Sequence, residues 1–193
     1  VVGDRAGHFG RGTVGEGTDT EDLALPGLQA DLVAAIASTG TPVVLVLLNG
    51  RPFDLGPLAE TVPAIVECFF PGEEGAAALA DVLVGRAEPG GRLPVSAGIP
   101  AGAQPLTYLH RALATGIPPR PAATPQFAFG HGLSYTSFAL ADLEVEADEV
   151  PLDGEVVLSC TVSNAGGRPG SEVVQLYARD PVASLTRPVL ELK

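Results

Sequence analysis

The run PVVLVLLNG (residues 42–50) constrains the fold most, because Val43 to Leu48 are six consecutive apolar residues. A strand with one wet face alternates apolar and polar, so an unbroken, partly β-branched run predicts a strand covered on both faces. PAIVECFFPG (63–72) repeats the signature. Helical patterns flank these runs. LQADLVAAIASTG (28–40) carries an apolar stripe at Leu28, Leu32, Val33, Ile36 and Ala37 and stops at Gly40. EEGAAALADVLVGRA (73–87) carries Ala76, Leu79, Ala80 and Leu83 on one face, with Glu73 and Glu74 at the positive end of the helix dipole. The order strand, helix, strand, strand, helix predicts an α/β fold over 1–97: a helix-covered, mostly parallel sheet.

The pattern changes after residue 97. Residues 98–134 are rich in Pro and Gly and hold no sustained period, as expected of a long connection draped over its neighbours. From 135 to 193 the period becomes two. FALADLEVEA, EVVLSCTVSNAGG and SEVVQLYARD alternate and are separated by turn residues, which predicts part of a β-sandwich. About four strands fit before Lys193, against roughly seven in a sandwich of this type. A continuation beyond Lys193 is therefore expected. An upstream continuation is expected too, because VVGD opens the chain as the tail of a strand.

The net charge of −12 argues against nucleic-acid binding and against anionic membrane surfaces, since phosphate contacts need Lys and Arg. The run from Val43 to Leu48 is too short to cross a bilayer. Cys68 and Cys160 sit in apolar runs with no C-x-x-C spacing, so both read as buried free thiols, not as zinc or redox ligands.

The chemistry-bearing stretch is GRGTVGEGTDTEDLALPG (10–27). Gly10, Gly12 and Gly15 form a literal G-x-G-x-x-G, but a dinucleotide site needs a strand just before it and a helix opening at the third Gly. Six residues separate VVG from Gly10, and no helical stripe begins before Leu28. Four carboxylates, Glu16, Asp19, Glu21 and Asp22, would repel a diphosphate. The glycines are therefore expected to form an extended loop. The carboxylates admit two readings. One is a solvated acidic loop serving the helix after Pro26. The other is a general acid/base on a flexible loop, for which Glu16, flanked by Gly on both sides, is the candidate. An EF-hand spacing is absent. His8, His110 and His131 have no metal-ligand partner at helical spacing, and no metal site is expected. His8 and Arg11, beside Glu16 in sequence, are placed as substrate contacts; His131 in FGHGLSY reads as structural. No G-x-S-x-G elbow exists, so a serine hydrolase has no support.

VVGDRAGHFGRGTVGEGTDTEDLALPG, TPVVLVLLNGRPFDL, FFPGEEGAAALADVLVGRAEPGGRLPVS and FAFGHGLSYTSF, in this order, resemble the C-terminal half of glycoside hydrolase family 3. The likeness is to its bacterial β-xylosidases and β-glucosidases and covers essentially the whole chain. It implies a (β/α)8 barrel carrying an Asp nucleophile earlier in the polypeptide, then an α/β sandwich domain that lends the acid/base Glu, then a fibronectin III-like domain. By this resemblance Glu16 matches the acid/base position. Where the family often has Asp-Arg, Thr20 follows Asp19, and Asp19, Glu21 and Asp22 are given structural or supporting places. The implied activity is retaining, exo-acting hydrolysis of terminal β-D-xylosyl or β-D-glucosyl residues from oligosaccharides or aryl β-glycosides, with no cofactor. The rival is a non-catalytic carbohydrate-binding or interdomain scaffold module.

Overall fold

Leu45, Val46 and Leu47 are each buried to within 3% of complete. Successive strand residues point to opposite faces, so three buried in a row mean that both faces of this strand are covered. In the computed structural model, which describes residues 1–99, 103, 106–111, 116–117, 120–121, 124–151 and 153–193, they form the middle of a parallel three-stranded sheet. Its strands are β1 (Val2–Gly3), β2 (Val44–Leu48) and β3 (Ala64–Glu67), in that spatial order. Helix α1 (Gln29–Ala37) connects β1 to β2, and a one-turn helix, α2 (Leu58–Thr61), connects β2 to β3. The sequence patterning does not signal α2, because four residues are too few to display a period. Helix α3 (Gly75–Leu83) follows β3.

The core gathers Leu25, Val33, Leu45, Leu47, Phe53, Leu55, Leu58 and Val62. Helix α1 meets it through Val33 and the half-buried Ala30; of the sequence stripe only Val33 is buried and Ala37 half-buried. Leu28, Leu32 and Ile36 are 77%, 55% and 43% exposed. The Gln29 side chain sets that rotation: it accepts from Gly3 N–H at 2.7 Å and donates to Gly3 C=O at 2.9 Å, tying the helix to β1. The helix stops as expected, with Gly40 at φ +80° in the left-handed region. Helix α3 also forms where predicted, but Ala76, Ala80 and Leu83 stay exposed and Leu79 is only half-buried.

Much of the 98–134 stretch lies outside the described residues. Its described end packs back on the sheet unit. Ala97 and Phe127 form an antiparallel bridge, and the Gln126 side chain accepts from Leu55 N–H and donates to Gly56 C=O. Two residue pairs within the stretch, β4 (Gly116–Ile117) and β5 (Arg120–Pro121), are antiparallel.

Beyond residue 135, β6 (Phe138–Val145) and β7 (Leu158–Asn164) form an antiparallel ribbon with an irregularity between Ala141 and Glu144, where Asp142 has φ +52°. β8 (Tyr177–Ala178) pairs with β9 (Glu191–Leu192). Period two thus yields β6 and β7 where expected, but of SEVVQLYARD only Tyr177–Ala178 is strand, and no two sheets pack face to face among the described residues. Leu140, Leu143, Val145 and Val162 are exposed. Cys160, expected buried, is exposed on β7 for the same reason; Cys68 is half-buried, and both are free thiols. Polar clasps join the two parts. Arg92 pairs with Glu172 at 2.7 Å, both side chains largely buried, and donates to Ser134 Oγ. Tyr135 donates its hydroxyl to Val82 C=O, and the Arg168 guanidinium lies 5.1 Å from its ring centre.

Candidate active-site loop

Residues 4–22 leave the carboxyl end of β1 and fold into a loop above the sheet edge. Open α/β sheets bind ligands at the carboxyl ends of their strands. The loop is laced by backbone bonds: Gly7 N–H to Val14 C=O at 3.0 Å, Thr13 N–H to Arg5 C=O at 2.8 Å, and Phe9 N–H to Glu16 C=O at 3.1 Å. Its two limbs touch backbone to backbone. A methyl group on Gly15 would overlap the Gly7 carbonyl oxygen, and one on Gly12 would overlap the Arg5 carbonyl oxygen. The glycines of the G-x-G-x-x-G thus permit close approach of the loop to itself. No helix opens at Gly15; the next begins at Gln29. The extended-loop expectation holds, and the arrangement lacks the helix N-terminus that a diphosphate requires.

Glu16, His8 and Arg11 all lie exposed on this one loop. Phe9 N–H bonds the Glu16 backbone, which brings the His8–Phe9 limb alongside Glu16, and the His8 and Phe9 rings sit 6.3 Å apart. Phe9 is itself 80% exposed with φ +51°, a conformation that non-glycine residues seldom hold. The Glu16 carboxylate has no hydrogen-bond partner among the described residues. Asp19 and Asp22 are engaged locally, whereas the Glu21 carboxylate, like that of Glu16, has no hydrogen-bond partner among the described residues. Asp22 accepts from Ala24 N–H at 2.8 Å, and Asp19 accepts from Thr20 N–H at 2.8 Å. Asp19 also receives the Arg51 guanidinium at 3.0 Å.

The floor beneath the loop comes from residues that sequence patterning does not single out. Asp4, directly after β1, accepts from Thr13 Oγ1 and from Gly50 N–H, both at 2.7 Å. Asn49, after β2, is completely buried and donates to Arg51 C=O at 2.8 Å and to Glu67 at 3.1 Å. Glu67 also accepts from Phe69 N–H at 3.0 Å. Burial pushes the Glu67 carboxyl above its ordinary range, helped by repulsion from Asp4, and the two hydrogen bonds offset this only in part. Burial, and then the charge of Glu67, push up the neighbouring Cys68 thiol. The available signal for Asp4, Asn49 and Glu67 is positional: each follows or ends a strand of the parallel sheet at its carboxyl end. His110 and His131 stand apart from the loop. His131 packs its ring 5.3 Å from Phe127, and its backbone bonds Leu93 and Ala128. Among the described residues no cluster of His, Cys, Asp and Glu could hold a metal ion, and no helix is long and apolar enough to cross a membrane.

An exposed carboxyl on a glycine-flanked loop, set over a polar floor, can donate and accept a proton at a ligand's edge. The chain is similar to known proteins along nearly its whole length. The chain is 39% identical to a periplasmic β-glucosidase of Salmonella typhimurium over 95% of its own length, and 40% identical to a β-xylosidase of Formosa agariphila over 94%. It superposes on a β-glucosidase from Listeria innocua in complex with glucose with a TM-score of 0.83, at 32% identity, over 94% of this chain and 27% of that one. The chain spans about a quarter of the length of the curated relatives it matches. Residues 1–135 match the glycosyl hydrolase family 3 C-terminal domain, and the chain therefore belongs to glycosyl hydrolase family 3.

Proposed function

We propose that this chain supplies the general acid/base carboxyl, Glu16, of a retaining, exo-acting β-glycosidase that hydrolyses terminal β-D-xylosyl or β-D-glucosyl residues. The nucleophilic Asp is carried by a (β/α)8 barrel elsewhere in the polypeptide. The observation that supports this best is the presentation of Glu16: it is exposed and unbonded, as Glu21 also is, and it alone among the loop's acids stands between two glycines, Gly15 and Gly17. Relatives named as β-glucosidases and β-xylosidases support the substrate class.

In the first step the protonated Glu16 gives its proton to the glycosidic oxygen while the barrel carboxylate attacks the anomeric carbon and the leaving group departs. In the second step the Glu16 carboxylate takes a proton from water, which attacks the same carbon and frees the nucleophile. Such sites hold their two carboxyls about 5–5.5 Å apart. His8 and Arg11, on the same loop, contact the substrate. Residues 1–97 form the α/β sandwich unit, 98–134 the connection, and 135–193 part of a fibronectin III-like domain.

The test is leaving-group dependence in the full-length polypeptide. General acid help is worth about 10² to 10⁴ in rate for a poor leaving group, whereas a dinitrophenolate departs without it. Glu16→Ala should nearly abolish cleavage of xylobiose or cellobiose and spare bond breaking in dinitrophenyl glycosides. Equal losses across leaving groups would assign Glu16 a binding or scaffold role.

A further inference from the structure

We propose that Arg51 is the positioning residue of the acid/base loop, one guanidinium that bonds the backbone carbonyl three residues before Glu16 and the side-chain carboxylate three residues after it. The inference rests on Glu16 being the acid/base.

Glu16 has little local stiffness of its own. Gly15 and Gly17, at φ +132° and +62°, flank it, and glycine backbone is free to move in ways that other residues are not. Its carboxylate has no hydrogen bond among the described residues. The place of the carboxyl is therefore set by whatever holds the limbs of the loop. Arg51 holds both. One terminal nitrogen donates to the Thr13 carbonyl oxygen, and the other donates to Asp19 Oδ1 at 3.0 Å.

The base of this fork is rigid. Arg51 follows β2 by three residues, and its carbonyl oxygen accepts from the buried Asn49 side chain. Between them, Gly50 N–H bonds Asp4, which also receives the Thr13 hydroxyl. The sheet edge thus grips the first limb at Thr13 from two sides and the second limb at Asp19 from one. An Arg–Asp pair with Asp19 91% exposed is worth little to stability by itself. The contact with the Thr13 carbonyl is what makes it a clamp, and only a planar fork with separate donors spans both partners; a lysine ammonium is a single point. A general acid works only within hydrogen-bond reach of the oxygen it protonates, and a displacement of about 1 Å can lower rate about 10²-fold.

The test compares Arg51→Ala, Arg51→Lys and Asp19→Asn with Glu16→Ala in the full-length enzyme, on glycosides whose leaving groups run from dinitrophenol to a sugar. Arg51→Ala should lower kcat/KM on xylobiose or cellobiose about 10²-fold and leave the dinitrophenyl bond-breaking step within a few-fold, steepening the leaving-group dependence. Arg51→Lys should lose as much. Asp19→Asn should lose less, and nothing further in the Arg51→Ala background. The dinitrophenolate burst counts folded active sites, so a misfolded variant is recognised by a lost burst, and Asp19→Asn and Arg51→Lys then carry the test. A uniform loss across leaving groups, or full activity with Lys, overturns the assignment. A steep Glu16→Ala profile beside a flat Arg51→Ala profile overturns this proposal alone; a flat Glu16→Ala profile overturns the acid/base reading beneath it.

Discussion

Glu67 ends β3 with its carboxyl between Asn49 Nδ2 and Phe69 N–H, with Asp4 as the nearest repelling charge and the Cys68 thiol adjacent in sequence. Its proton affinity is raised by burial above the ordinary value of 4.5, so the folded protein binds this proton more tightly than the unfolded chain does. Between the unfolded and the folded pKa the native state holds more protons. Stability therefore falls as pH rises through that window, and the group adds no slope below it. Glu67→Gln carries no titrating proton, so its unfolding free energy should lack the decline that sets in as pH rises above the ordinary carboxyl value. Urea denaturation of both proteins across this range measures it. A wild-type curve that rises in parallel with the variant would show that Glu67 is not held in a desolvating site.

Helix α1 shows what a hydrophobic stripe can and cannot say. The stripe located the helix, and Gly40 located its end, because both signals are local. It identified the buried face only in part, through Val33. Leu28, Leu32 and Ile36 are larger than Ala30, yet the Gln29–Gly3 hydrogen bonds turn Ala30 and Val33 inward. Val33→Ala should accordingly destabilise the protein by about 2–3 kcal/mol, whereas Leu32→Ala should stay within about 0.5 kcal/mol. Chemical denaturation of the two variants decides it; a larger loss at Leu32 would mean that the Leu28–Leu32–Ile36 ridge is the packed one. The buried strand β2 was legible for the same local reason, since six apolar residues admit no wet face. The Glu16 loop was legible as extended, because nothing helical follows Gly15. Arg51, Asp4, Asn49 and Glu67 were not legible, because the contacts that join them to other parts of the fold span 18 to 46 residues in sequence and form only through strand order. In the β segment, period two located β6 and β7, but a period cannot supply the second layer that would bury Leu140 and Cys160.

On the scale of the whole chain, the α/β unit and the β segment are joined by polar contacts. Arg92 and Glu172 come from residues 80 positions apart, retain only 10% and 16% of their side-chain exposure, and lie 2.7 Å from one another. Removing one member of so buried a pair strands the other. Arg92→Ala should lower stability by about 3 kcal/mol, read as a fall in Tm of several degrees, whereas the double replacement Arg92→Met with Glu172→Leu should recover most of it. An unchanged Tm for Arg92→Ala would mean that the two parts are not held together there. The same scale governs function, because in the proposed reading the loop supplies only the acid/base, and a retaining glycosidase needs a second carboxyl as nucleophile. The most direct measurement of the central claim is azide rescue of Glu16→Ala in the full-length polypeptide on a dinitrophenyl β-glycoside. Without a base the glycosyl-enzyme cannot be hydrolysed, but azide needs no base. Added azide should restore turnover and yield the β-glycosyl azide, since two inversions retain configuration. No acceleration by azide, or an α-configured product, would contradict the assignment of Glu16 as the acid/base of a retaining enzyme.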